Sequence, residues 1–174
     1  MRESTRQGVV GMNRIDITLS ETESRIAKFI GKERFKNARS KGIYNARKGP
    51  QSDLETDLEG VGSELAAAKL LNLWPDLQIK KIPDHDLKIL NITIDVKTTK
   101  YKTGRLIAGL GKSDKPCDYY MLMIGSLPTY SLGGFAKQEK RLNENTITYL
   151  GWCKLHALDQ KELISLKDFL NETN

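Results

Sequence analysis

The chain has 174 residues, of which 39% are hydrophobic and 29% are charged, and it carries a formal net charge of +6 at pH 7. This balance excludes a fully disordered chain, and the length favours one domain with a single core. No apolar run approaches the ~20 residues that cross a bilayer, and the two cysteines lack CxxC spacing. We therefore expect a soluble protein of a reducing cytoplasm, without a membrane partner, a zinc site or a disulfide framework.

The N-terminal region reads as a tail followed by a helix. Residues 1–19 are assigned to an N-terminal tail, and residues 20–174 to a single domain. Ser20 and Glu23 have the spacing of a capping box, in which each side chain binds a free backbone N–H at a helix start. This signal predicts a first helix from residue 20 onward.

The most basic part of the chain lies between residues 32 and 48, within a helical N-terminal region that spans residues 20–50. One interpretation is a solvated helix face and loop, because charge runs usually keep a surface soluble. The other is an arm that binds the phosphates of a nucleic acid. Under the second interpretation the contacts are Arg34, Lys36, Arg39, Lys41, Arg47 and Lys48.

A loop and then a second helix are predicted before residue 72. The acidic segment 53–59 runs into a Gly-Val-Gly sequence at 60–62, which is typical of a loop. The residues from Ser63 onward are strongly helix-forming, with Glu64 in the first turn. The positions three, four and seven after Glu64 are apolar, so this face should lie on a sheet and Glu64 should point inward at its end. The alternative is that Glu64 only complements the helix dipole.

The second half of the chain is rich in β-forming residues. The segment 118–124 is almost entirely apolar, which predicts a strand that is buried on both faces. A Gly-rich and basic connection is predicted at 131–141, and a C-terminal helix is predicted from Asp159 to residue 170. The predicted strands are 77–82, 86–90, 92–99, 105–108, 118–124 and 146–150.

A predicted hairpin contains the charged residues of greatest interest. Along the strand 92–99, Asp95 and Lys97 share the face opposite the apolar residues 92, 94 and 96. A two-residue turn at 90–91 would place Asp86 directly opposite Asp95, whereas a three-residue loop would shift this pairing by one. Directly opposed side chains have Cβ atoms ~5 Å apart and like charges there repel, so two carboxylates favour a cation between them. Mg²⁺ suits such a site because it takes carboxylate and water oxygens.

These residues resemble the catalytic motif of the PD-(D/E)XK nuclease superfamily. The resemblance consists of Glu64 in a helix, then Asp86, then Asp95 and Lys97 in an Asp-x-Lys sequence. The span from residue 49 to residue 152 is also similar to uncharacterised phage-encoded proteins of that superfamily. The resemblance implies an α/β restriction-endonuclease-like fold, with a mixed β-sheet flanked by helices.

The resemblance also implies a function and roles for individual residues. It implies a Mg²⁺-dependent nuclease, with Mn²⁺ able to substitute, that hydrolyses phosphodiester bonds of DNA and acts as an endonuclease in the cytoplasm of a bacterium or of a phage-infected cell. Asp86, Asp95, the Val96 carbonyl and Glu64 would bind one or two ions, and Lys97 would position or deprotonate the attacking water. Cleavage of both strands of a duplex would favour a homodimer.

Several alternatives stay open at this point. The literal Pro-Asp dipeptide of the motif is Pro83-Asp84, so Asp84 competes with Asp86 for the role of ligand. Lys100 and Tyr101, just beyond the Asp-x-Lys strand, are further candidates for contact with a nucleic-acid backbone. Two rival functions are a nuclease-like fold that binds nucleic acid or regulates an enzyme without cleavage, and a purely structural or interaction protein.

Overall fold

The computed structural model describes residues 14–45, 50–79, 85–109, 117–141, 144–150 and 153–173. Two short 3₁₀ turns cover Glu144–Thr146 and Gln160–Glu162. The helices of the described residues are α1 (Glu21–Ser40), α2 (Asp53–Leu70), α3 (Gln138–Arg141) and α4 (Leu166–Thr173). The strands are β1 (Asp16–Thr18), β2 (Leu87–Ile89), β3 (Ile92–Thr99), β4 (Leu106–Gly109), β5 (Tyr119–Ser126), β6 (Thr129–Lys137), β7 (Ile147–Leu150) and β8 (Cys153–Leu158).

The strands form two sheets. The larger sheet has the order β1-β6-β5-β3-β2, and its β3–β5 pair is parallel while the other neighbours are antiparallel. The smaller sheet has the order β4-β8-β7 and is antiparallel throughout. The chain is therefore a mixed α/β protein whose larger sheet contains both strand directions.

The larger sheet has a different cover on each face. On one face it meets α2, where three consecutive alanines at 66–68 are fully buried and allow the helix to approach Ile94 and Met121 closely. The same cluster includes Phe169 of α4, whose ring stacks on Phe135 with centroids 4.1 Å apart. On the other face, Tyr120, Leu122 and Ile124 form a second cluster with residues of β4 and β8. Helices α2 and α4 thus lie on one face of the larger sheet, and the smaller sheet lies on the other.

The helix predictions are confirmed in part. The capping box of Ser20 and Glu23 is present, and α1 begins where it was predicted. The loop predicted at 53–62 is wrong, because Ser52 and Glu55 form another capping box and α2 begins at Asp53. Gly62 is required within α2, since an added Cβ would lie 2.9 Å from Leu127 Cγ of the β5–β6 turn.

The strand predictions also need corrections. Residues 16–18, assigned to the tail, form β1 and pair with β6. The connection predicted at 131–141 is wrong for most of its length, because β6 runs to Lys137. Its glycines reflect close neighbours, since a Cβ at Gly133 would lie 2.8 Å from Leu122 Cδ2. The segment from Asp159 has the predicted capping box but forms a 3₁₀ turn, and α4 starts only at Leu166.

Two further outcomes concern strands and membrane spans. The strand predicted at 77–82 is absent from residues 77–79. Its remaining residues, 80–82, lie outside the described residues, as does Asp84. The strand 118–124 is confirmed as β5, and its first six residues are buried as predicted. Among the helices described above, none is both long enough and apolar enough to cross a membrane.

Candidate active site on the β2–β3 hairpin

The β2–β3 hairpin has the predicted register. Leu87 pairs with Ile94 and Ile89 pairs with Ile92, so the turn consists of the two residues 90–91 and the three-residue alternative is excluded. Leu90 adopts a φ of 51°, which is uncommon for a residue with a branched side chain, and its side chain is exposed. The tight turn therefore forms despite a residue that is poorly suited to it.

Asp86 does not continue the ladder as predicted. Its N–H donates to the carbonyl of Ile94 at 3.0 Å, although Ile94 is the register partner of Leu87. Its carboxylate Oδ2 accepts a hydrogen bond from the N–H of Val96 at 2.8 Å. The predicted opposition of Asp86 to Asp95 is therefore incorrect in detail, because the Asp86 carboxylate binds the backbone along the edge of β3.

The Val96 backbone is directed toward the same edge. In a strand, the N–H and C=O of one residue point to the same neighbour, as in antiparallel pairs that exchange both bonds. Since the Val96 N–H donates to Asp86, the Val96 carbonyl also points to the β2 side of β3. This arrangement puts a carboxylate and a backbone carbonyl on one edge, and their role as metal ligands stays a prediction.

Asp95 and Lys97 form an ion pair on the face of β3 that is turned away from α2. The Lys97 Nζ lies 2.5 Å from the Asp95 Oδ2, and the two side chains are 30% and 14% exposed. The alternation along β3 explains the placement, because Ile94 and its even-numbered neighbours pack toward α2. The hairpin thus supplies a partly buried carboxylate with an ammonium group beside it.

Tyr120 and Cys117 lie beside this ion pair and were not identified from the sequence. The parallel pairing of β3 with β5 places Tyr120 next to Asp95, and the Lys97 Nζ is 5.8 Å from the centroid of the Tyr120 ring. Burial, and then contact with the Cys117 thiol, raises the pKa of Tyr120. Burial also raises the pKa of the Cys117 thiol to about 11. Their position beside the ion pair could have been predicted from the sequence only if the β3–β5 register had been known.

Asp118 holds the start of β5 against β3. Its Oδ2 accepts hydrogen bonds of 2.7 Å from both the N–H and the hydroxyl of Thr93. These bonds, the backbone one foremost, lower the pKa of the Asp118 carboxyl. The two strands that carry Asp95 and Tyr120 are therefore aligned by a specific contact at one end.

Glu64 occupies a different environment from the one predicted. Its Oε2 accepts a hydrogen bond of 2.7 Å from the Arg34 Nη1, and the side chains of Arg34 and Glu64 are 11% and 15% exposed. The apolar stripe after Glu64 does face the sheet, but the Glu64 carboxylate is directed to α1. Because α2 and the Asp95–Lys97 pair lie on opposite faces of the sheet, the role of Glu64 as a metal ligand stays a prediction.

The predicted phosphate contacts between residues 34 and 48 differ in their exposure. Arg34 also donates to the carbonyls of Asp76 and Gln78 and is held inside the structure, and its role as a phosphate contact stays a prediction. Arg39 is similarly engaged, because its Nη2 lies 2.9 Å from the Asp53 Oδ2 and its side chain is 17% exposed. The cations at 36 and 41 are exposed, and those at 47 and 48 lie outside the described residues. The predicted contacts beyond β3, residues 100 and 101, are also exposed.

The donors at the hairpin fit a hard divalent cation. Within the described ranges, no group of three or more His, Cys, Asp or Glu side chains is arranged to hold a metal ion. Mg²⁺, however, keeps several waters and needs only one or two protein carboxylates together with phosphate oxygens. Asp86, Asp95 and the Val96 carbonyl are oxygen donors carried by one short hairpin, so they meet this smaller requirement.

Comparison with protein-family models, with curated proteins and with solved structures finds no match for this chain.

Proposed function

We propose that the chain is a metal-dependent nuclease with a restriction-endonuclease-like fold, and that it hydrolyses phosphodiester bonds of DNA as an endonuclease. The observation that carries this proposal is the Asp95–Lys97 ion pair, which lies on the hairpin whose edge also presents the Asp86 carboxylate. Phosphoryl transfer needs a positioned water and compensation of developing negative charge, and a lysine held beside an acidic group can serve both needs.

The order of elements supports the proposal. A helix that carries Glu64 precedes the β2–β3 hairpin, and β3 then pairs in parallel with β5. This succession agrees with the mixed sheet and the helix expected from the motif. The agreement concerns the architecture, and the chemistry must be argued from the side chains.

Each residue of the hairpin has a defined task in the proposed reaction. Asp86, Asp95 and the Val96 carbonyl would hold Mg²⁺, which supplies polarisation of the phosphoryl oxygen and acidifies a bound water. Asp95 keeps the ammonium group of Lys97 in place through their ion pair. Lys97 would orient the attacking water and stabilise the negative charge that develops on the phosphate.

The test is a cleavage assay with Mg²⁺ or Mn²⁺ on linear, circular, single-stranded and branched DNA and on RNA. We expect cleavage that is abolished by a chelator, with nicking of circular DNA as the sign of an endonuclease. Lys97→Ala should lower kcat by at least about 100-fold, the usual range for loss of a group that assists proton transfer. Lys88→Ala is the matched control, because Lys88 is an exposed lysine of the same hairpin.

The outcome separates the proposal from its rivals. A wild-type protein that leaves every substrate intact with both metals would overturn the nuclease proposal. Chelator-insensitive binding that Lys97→Ala does not change would then favour a non-catalytic binding protein. For Glu64→Gln, lost cleavage at an unchanged free energy of unfolding would support a role as ligand, and lost stability with retained cleavage would assign Glu64 to α1 alone.

A further inference from the structure

The loop that follows β3 presents cations and an aromatic ring to solvent. We call residues 100–105 the basic loop, since they include Lys100, Lys102 and Arg105. Lys100, Tyr101 and Lys102 are all exposed. The loop starts three residues after Lys97, a distance of about 10 Å for an extended chain. A polyanion bound to it would therefore lie close to the hairpin.

The basic loop is held in one conformation by contacts from distant parts of the chain. The Gln160 Nε2 donates to the carbonyls of Lys102 and Gly104 at 2.9 and 2.8 Å. The Arg14 Nη2 donates to the same Lys102 carbonyl at 2.8 Å. Gly104 packs against Thr99, where an added Cβ would lie 2.9 Å from the Thr99 Cβ. The loop is thus organised before any ligand arrives, which lowers the entropic cost of binding.

The exposed lysines of the basic loop, and Arg14 beside it, differ from Arg34 and Arg39 of α1, which both have acidic partners. Within the described part of the chain, Arg14, Lys100 and Lys102 form no ion pair. Arg105 lies 3.9 Å from Asp159, which is a long contact. The charge of Lys100 also acts on Glu55, whose pKa is lowered mainly by hydrogen bonds from Ser52 and to a smaller extent by this charge.

Tyr101 adds a surface on which a nucleobase can stack. Its side chain is 56% exposed, and the Lys100 Nζ lies 5.7 Å from the ring centroid. Its N–H donates to the Thr99 hydroxyl at 3.3 Å, and its carbonyl accepts from the Gly104 N–H at 2.8 Å. An exposed ring on a fixed backbone, next to unpaired cations, is the combination that proteins use to bind single strands.

We infer that the basic loop, together with Arg14, binds an unpaired nucleic-acid strand, with phosphates at Lys100, Lys102 and Arg14 and a base stacked on Tyr101. The inference rests on the proposed function for what happens to the strand at the hairpin. It names the substrate class as single-stranded or locally unpaired nucleic acid. Charge complementarity favours this occupant, because the cations lack acidic partners and flank an exposed ring.

The test measures binding of fluorescently labelled oligo(dT) and of a duplex of equal length by anisotropy, in EDTA so that no cleavage occurs. We expect Lys100→Ala/Lys102→Ala to weaken binding of oligo(dT) about tenfold at low salt, and to reduce the slope of log K against log salt by roughly 1.4, or 0.7 for each lost phosphate contact. Lys28→Ala/Lys32→Ala is the control with two exposed α1 cations that are not among the predicted contacts, and it should change both quantities little.

The ring is tested separately. Tyr101→Ala should weaken binding of oligo(dT) about tenfold, the size expected for loss of one stacked base, whereas Tyr101→Phe should bind normally. The effect of Tyr101→Ala on the duplex should be much smaller. Circular dichroism and thermal unfolding check that each variant is folded. Should the double lysine variant fail to fold, Lys102→Glu tests the charge of the loop at a single exposed position.

The outcomes of the two proposals are distinguishable. A wild-type protein that binds oligo(dT) through the loop but cleaves nothing would leave this inference standing and overturn the nuclease proposal. A protein that cleaves, but whose loop variants bind as tightly as the wild type or no more weakly than the α1 control, would overturn this inference alone. Equal loss of single-strand and duplex binding in Tyr101→Ala would overturn the assignment to unpaired strands.

Discussion

Carboxylate and cation pairs occur both between α1 and α2 and on the β2–β3 hairpin, but their surroundings differ. Between the helices, Arg34 binds Glu64 at 2.7 Å and also donates to two backbone carbonyls. On the hairpin, Lys97 binds Asp95 at 2.5 Å, and its ammonium faces the ring of Tyr120. Arg34 is 11% exposed, whereas Lys97 is 30% exposed.

The two cations were both candidates for contact with a nucleic acid, but they have different surroundings in the fold. The guanidinium of Arg34 has its hydrogen-bond donors directed to a carboxylate and to carbonyls of its own chain, so it is suited to joining α1 to the loop after α2. Lys97 has a compact ammonium group paired with Asp95, and it stays partly exposed on the face of the sheet that is turned away from α2. We propose that the first pair serves the stability of the fold and that the second serves contact with a ligand.

The largest effect is expected from the pair between the helices. Arg34→Leu should lower the free energy of unfolding by about 3 kcal/mol, because removal of one partner leaves Glu64 buried without its cation. The fully exposed pair of Arg25 and Glu21 provides the control, with side chains 76% and 79% exposed. Arg25→Ala should cost less than about 0.5 kcal/mol. Urea denaturation measures both.

The measured losses in the free energy of unfolding can contradict the distinction between the two regions. Equal small losses for Arg34→Leu and Arg25→Ala would mean that Arg34 is not an internal structural partner. The arm of α1 would then again be a candidate for phosphate contacts. A large loss confined to Arg34→Leu would sharpen the distinction.

A smaller effect is expected at Tyr120. Tyr120→Leu should lower kcat of the proposed cleavage about tenfold with little change in KM, because the ring that faces the Lys97 ammonium is lost. Tyr120→Phe keeps the ring and should retain most of the activity. Kinetics are compared at a temperature at which both variants are folded. Equal kcat values for the two variants would show that the ring does not position Lys97.

The smallest effect concerns Asp57, a partly buried residue in the first half of α2. Its Oδ1 accepts a hydrogen bond of 2.9 Å from Asn45, and burial is the main cause that raises its pKa, opposed by Asn45 and by the charge of Arg39. A raised pKa in the folded state means that the fold binds a proton more tightly than the unfolded chain. Stability therefore falls as pH rises from the usual Asp pKa of about 3.9 through the raised value.

Asp57→Asn should remove this pH dependence. At neutral pH we expect the variant to be more stable by a few tenths of a kcal/mol, since solvent screens a carboxyl that is only partly buried. Unfolding free energies measured across the acidic range check the prediction. A difference between variant and wild type that stays constant with pH would show that ionisation of Asp57 does not oppose folding.

Local signals predicted several elements of this protein correctly. The capping box of Ser20 and Glu23 starts α1, the alternation along 92–99 gives β3, and the apolar run at 118–124 gives a strand buried on both faces. The same kind of signal was overlooked at Ser52 and Glu55, where acidic residues and glycines were interpreted as a loop. These features depend on residues only a few positions apart, so a single sequence can reveal them.

The sequence by itself therefore predicted the hairpin and the shared face of Asp95 and Lys97, whereas the observed register decided between a two-residue and a three-residue turn. Only the tertiary structure decided that Arg34 binds Glu64, that Asp86 binds the Val96 N–H instead of facing Asp95, and that Tyr120 lies beside Lys97. The physical reason is that these contacts join segments whose relative positions depend on sheet order and helix packing. A charge pattern specifies which groups are present, but only the packing of the whole chain selects their partners.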